Sequence, residues 1–152
     1  MINLKKLVIS IIIPLLFGFI GYLLGGDNSI YSSIVTPSFA PPGAIFPIVW
    51  TILYVLMGIS FYIITNSNDT DITTPRIIYY LQLIVNAIWP LLFFRFNLFF
   101  IAFIWILLLI ALVAYMIYLF YKIKPIAAYL QIPYLLWLIF ASILNFSIFI
   151  LN

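Results

Sequence analysis

Phe39-Ala-Pro-Pro-Gly-Ala-Ile-Phe-Pro-Ile-Val-Trp-Thr-Ile-Leu-Tyr54 joins a proline-stiffened approach to a long apolar helix, whose first turns carry Phe46, Trp50, Thr51 and Tyr54. Pro41, Pro42 and Pro47 donate no backbone hydrogen bond, and each holds φ at about −65°. Pro47 falls where a first helical turn tolerates proline. The segment therefore reads as a rigid lip, formed by Phe39, Pro41 and Pro42, above a helix face of aromatic and hydroxyl groups. Such a lip suits the mouth of a ligand pocket, provided the rest of the chain builds one.

Around this segment, 68% of the 152 residues are hydrophobic and 6% are charged, against about a quarter charged in soluble domains. So much apolar side chain points to lipid as the solvent. The chain has no Cys, no His and no Glu, and its only carboxylates, Asp27, Asp69 and Asp71, lie in polar gaps. Disulfides, thiolate chemistry and His/Cys metal centres are thereby excluded. The apolar part also lacks any conventional acid–base or nucleophilic set. Activity must come from shape, aromatic rings, hydroxyls, amides or a bound molecule, and neither a metal nor a required cofactor is expected. The net charge of +3 comes from scattered basic residues, which form no patch for nucleic acid.

Five apolar runs, residues 7–24, 46–65, 77–94, 98–121 and 126–151, each approach the roughly 20 residues that cross a bilayer. A spanning segment must satisfy its own backbone, so all five read as helices. The expectation is an all-α integral membrane protein, a single five-transmembrane-helix bundle over residues 1–152. Lys5 and Lys6 before the first run resemble the start of a signal peptide. No small-residue cleavage pattern follows, so a retained helix is expected. Gly21 and Gly25 form a GxxxG spacing that fits packing inside the bundle or a dimer face.

Lys5, Lys6, Arg76, Lys122 and Lys124 fall on one side of such a bundle, and Arg95 on the other. Positive-inside counting puts the N-terminus in the cytoplasm and the first loop, with its proline lip, outside.

Amides and indoles at membrane depth need partners. Gln82, Asn86, Trp89 and Phe93 recur at spacings of three and four, as do Tyr134, Trp137, Ala141 and Asn145, and Phe46, Trp50, Tyr54 and Met57. Each set is one helical face. Three inward stripes of this kind would line a cavity suited to a flat, apolar, partly polar ligand. Trp89 and Tyr121 fit an interfacial belt equally well. Gln82 and Asn86 also fit hydrogen bonding between helices, and Asn145 is read that way. Trp50 and Trp137, heading polar stripes, are read as ligand lining. Pro90 and Pro133 are expected to bend the third and fifth helices.

Three motifs together resemble the TspO/MBR family of tryptophan-rich sensory proteins and translocator proteins. They are Pro41-Pro42 with Phe46-Pro-Ile-Val-Trp-Thr-Ile-Leu-Tyr54, Gln82-Leu-Ile-Val-Asn86 with Trp89, and Pro133-Tyr-Leu-Leu-Trp137 with Phe140-Ala-Ser-Ile-Leu-Asn145. The resemblance covers Gly18 to Asn152 and implies a bacterial member, a five-helix bundle in the cell membrane and a homodimer. It implies a receptor whose ligands are protoporphyrin IX, haem-like tetrapyrroles and benzodiazepine- or isoquinoline-type compounds. It further implies light- and oxygen-dependent porphyrin degradation, with Trp50 and Trp137 as the tryptophans tied to it. Tyr54, Asn86 and Ala141 match lining positions. The stripes extend the ligand-binding set to Phe46, Gln82, Phe93 and Tyr134. Thr36 and Phe39 stand where the family pattern carries Lys and Trp, and the end of the last helix lacks the sterol motif of animal members. A porphyrin or apolar-metabolite transporter, or a regulator acting through a partner, are the alternative functions.

Overall fold

The computed structural model describes residues 2–68 and 71–152; Asp69, counted above with the second loop, lies outside them. Asn3 caps α1 (Leu4–Gly25), its side chain accepting from the Lys6 N–H at 3.1 Å. The helix stops at Gly26, whose φ of +71° suits a residue without Cβ. The first loop then holds one short helix, α2 (Ile30–Ser33), before α3 (Ile45–Thr65). Pro47 sits in the first turn of α3, and its carbonyl accepts from the Thr51 hydroxyl at 2.7 Å.

The third run was expected from residue 77, but α4 (Thr73–Pro90) starts a turn earlier. Asp71 accepts from the Thr73 N–H at 3.1 Å, and Pro75 occupies the first turn, where its missing N–H costs nothing. Pro90 disrupts the helix as expected. The chain continues as a π-helical turn over Leu91–Arg95, with the Phe96 N–H reaching the Leu91 carbonyl at 3.1 Å. A tight turn over residues 96–98, with Asn97 at a φ of +55°, then leads into α5 (Phe99–Ile123). The fifth run was expected as one helix and is two, α6 (Pro125–Tyr129) and α7 (Ile132–Leu151). Pro133 has no N–H for the Tyr129 carbonyl, and the Gln131 N–H closes a tighter turn onto Ala128 at 3.0 Å. That break leaves the Ala127 carbonyl to accept from the buried Ser60 hydroxyl of α3 at 2.7 Å.

Five segments are long and apolar enough to cross a membrane: Leu4–Gly25, Ile45–Thr65, Thr73–Arg95, Phe99–Ile123 and Pro125–Leu151. The molecule is an all-helical integral membrane protein. α1 packs along α3 and α4, α5 packs along α4 and α7, and α6 closes against α3 and α5. Lipid tails are as apolar as leucine, so close packing and hydrogen bonds hold such a bundle together. A Cβ on Gly58 would meet the Ile11 Cα of α1 at 2.5 Å. Gly21 lies against Ala87 and Pro90, and Gly25 against Pro90. The GxxxG spacing thus serves packing of α1 on α4 within the bundle.

The half of the bundle nearer the α6 end is filled by rings and aliphatic side chains. Phe61 stacks on Tyr79 at 3.9 Å between centroids, Tyr79 faces Phe120 at 6.4 Å, and Met57 and Ile64 are fully buried beside them. Trp105, the one tryptophan outside the predicted stripes, donates to the Val85 carbonyl at 2.7 Å and fastens α5 to α4.

Candidate functional site

Towards the first loop the helices enclose a cavity of about 630 Å³, within the range of small-molecule sites. Phe46, Trp50 and Tyr54 of α3, Asn86 and Trp89 of α4, Phe93 of the π turn, and Trp137, Ala141 and Asn145 of α7 all line it. The three predicted stripes therefore meet around one space. Trp50 stacks on Tyr54 at 5.5 Å, Trp137 meets the edge of Phe46 at 5.9 Å, and Trp89 stacks on Phe93 at 4.8 Å. Trp89 is a wall residue, and Tyr121, half-exposed at the end of α5, fits the interfacial belt. Asn145 combines both readings. It lines the cavity, accepts from the Trp89 indole at 3.2 Å and donates to the Phe99 carbonyl at 2.8 Å.

Gln82 and Tyr134 are not in the wall, which corrects the predicted lining set. They form a buried floor with residues of three helices. The Tyr54 hydroxyl donates to Asn86 Oδ1 at 2.9 Å, Asn86 Nδ2 donates to the Tyr134 oxygen at 2.7 Å, and Tyr134 donates to Gln82 Oε1 at 2.9 Å. A chain of this kind, with every amide partnered, ties α3, α4 and α7 together in a medium that offers no water.

Phe39, Pro41 and Pro42 lie outside the cavity wall, and Tyr31 and Gly43 are the residues of the first loop's roof that line it. The Pro41 carbonyl accepts from the Tyr31 hydroxyl at 3.0 Å, and Tyr31 presents its edge to Phe46 at 5.3 Å. Phe39 turns outward onto Phe140 of α7, 6.4 Å between centroids. The prolines stiffen the roof from outside, and Tyr31 forms its inner surface. Burial pushes the Tyr31 phenol up from its ordinary value.

Sequence reasoning missed the α1 wall of Leu15, Gly18, Phe19 and Tyr22. In that wall Gly18 lies against Tyr54, whose ring a Cβ at this position would run into. Polar character in the cavity is sparse. The Trp137 ring lines it, while its Nε1 is buried against protein without a hydrogen-bond partner.

Five spanning helices around an aromatic, ligand-sized cavity define an integral membrane protein with an intramembrane pocket. The TspO/MBR family pattern matches residues 10–151. The chain is 34% identical over 152 residues to tryptophan-rich protein TspO of Archaeoglobus fulgidus, covering 99% of each. It is 33% identical to the protein of the same name from Chlorobaculum tepidum, over 80% of this chain and 78% of that one. Against translocator protein of Bos taurus the identity is also 33%, over 89% of this chain and 83% of the relative. The chain belongs to the TspO/MBR family.

Proposed function

We propose that the pocket is a receptor site for a tetrapyrrole such as protoporphyrin IX or haem, and that it supports light- and oxygen-dependent porphyrin breakdown. The observation that carries the reading is the cavity wall itself, with three indoles, several phenyl and phenol rings and no carboxylate or imidazole. A flat macrocycle gains contact area against such rings, which favour offset and edge geometries. The same pocket would take flat benzodiazepine- and isoquinoline-type molecules.

In this reading light excites the porphyrin and dioxygen is the oxidant. Adding both oxygen atoms across one carbon–carbon double bond of a bridge yields two carbonyls and opens the ring, so no further electron donor is required. The chain's own part is orientation and exclusion of water, with Trp50 and Trp137 as the electron-rich neighbours that trap or relay oxidising equivalents. The charge asymmetry, five basic residues against Arg95 alone, supports a cytoplasmic N-terminus with the pocket roof outside, and the family resemblance supports a bacterial cell membrane. The family resemblance supports a homodimer. Illuminating purified protein with protoporphyrin IX under air tests the chemistry. Product should form with wild type and fall sharply with Trp50→Phe combined with Trp137→Phe; equal product from the double variant would overturn the degradative part.

A further inference from the structure

The roof over the pocket is fastened at a place none of the motifs indicated. Asn152, at the end of α7, accepts from the Val35 N–H through Oδ1 at 2.9 Å and donates through Nδ2 to the Val35 carbonyl at 2.9 Å. Its Nδ2 also reaches the Ile148 carbonyl of its own helix at 2.9 Å, which fixes the side chain's aim. The amide thus pairs with Val35 as a neighbouring strand would, across 117 residues of chain. From that pin, the chain runs through Phe39, which rests on Phe140, to the Tyr31–Pro41 bond and the Phe46 contact in the wall.

We propose that Asn152 is the positioning residue of the pocket, the latch that holds the first loop down on α7 and so sets how fast a ligand exchanges. The inference rests on the ligand-binding reading only for its second half; the latch itself is a contact within the chain. Two features favour a latch over an incidental contact. Both hydrogen-bonding groups of one backbone residue are taken by one amide, so the loop is fixed in direction as well as position. The pair is also exposed, so water competes for it, and an exposed neutral pair of hydrogen bonds can open and reclose. Loops that cover a pocket come from this low-stability end of a structure.

The test uses the full chain in lipid nanodiscs, with Asn152→Ala and, in this cysteine-free sequence, the pair Val35→Cys with Asn152→Cys closed by a disulfide or a short bis-thiol linker. Amide exchange over residues 30–44 is read without ligand, and protoporphyrin IX association and dissociation are read by stopped-flow quenching of indole fluorescence. Asn152→Ala should raise exchange at Val35 and speed both association and dissociation about fivefold, the worth of roughly 1 kcal/mol at 1.4 kcal/mol per decade. The closed cysteine pair should slow both below wild type and recover on reduction. Unchanged exchange in Asn152→Ala overturns the latch. Equal ligand rates in the open and closed cysteine pair overturn its control of the pocket. If wild type binds no protoporphyrin at all, the receptor reading fails, while amide exchange still decides the latch.

Discussion

The two halves of the bundle are built from the same kinds of residue and use them in opposite ways. In the half nearer α6, Phe61, Tyr79 and Phe120 lie face to face and fill the interior, with Gly58 letting α1 approach. In the half nearer the first loop, Trp50, Trp89 and Trp137 stand around a space of about 630 Å³, the first two stacked on Tyr54 and Phe93 and the third edge-on to Phe46. The boundary is the chain of hydrogen bonds from Tyr54 to Gln82. Aromatic richness therefore does not by itself mark a pocket in a membrane protein. A pocket forms where the rings lean on their own helix or its neighbour's edge, and where a polar floor stops the helices from collapsing inward.

Substitutions on either side of that boundary can break the contrast. Phe61→Ala, in the filled half, should cost about 3–5 kcal/mol of stability, as large-to-small changes of buried rings do, measured by unfolding in mixed micelles. The surviving folded protein should keep its affinity for protoporphyrin IX. A loss of affinity larger than the loss of stability would mean that the halves are not separate. Asn86→Leu, at the boundary, strands the Tyr54 hydroxyl and removes a partner from Tyr134. Interhelical hydrogen bonds in membranes average about 0.6 kcal/mol and reach about 1.7, so a cost of roughly 1–2 kcal/mol is expected, together with weakened binding because the floor loosens. Ala141→Thr, in the open half, should leave unfolding nearly unchanged. It should weaken the ligand by an overpacking cost of about 1–3 kcal/mol, read by titration. Equal affinity in that variant would take Ala141 out of the ligand's path.

Much of this arrangement is legible in the sequence, for physical reasons that also explain what is not. The five spans follow from runs of apolar residues separated by polar gaps, because lipid forces each crossing segment to be a helix. Pro90 and Pro133 announced the two irregular segments through their missing N–H, although not that one would become a π turn and the other a full break. The stripes identified the right faces of α3, α4 and α7. Their failure with Gln82 and Tyr134 is one of depth: spacing by three and four fixes a face, while one turn moves a residue about 5.4 Å along the axis. Gln82 and Tyr134 lie on the correct faces, below the cavity. Leu15, Phe19 and Tyr22 of α1 could not be found this way, because apolar residues facing a pocket read the same as those facing lipid. That Tyr31 and Gly43 form the inner surface of the roof, with Phe39, Pro41 and Pro42 outside them, was not legible because a loop has no periodicity. Its form depends on the Tyr31 bond to Pro41 and on Asn152, far away in the sequence.

The most direct measurement is an experimental structure of the chain in lipid with protoporphyrin IX bound. The macrocycle should lie in the upper cavity against Trp50 and Trp137, beneath Tyr31 and above the Tyr54–Asn86 bond. A tetrapyrrole found on the lipid-facing surface, with the cavity empty, would contradict it.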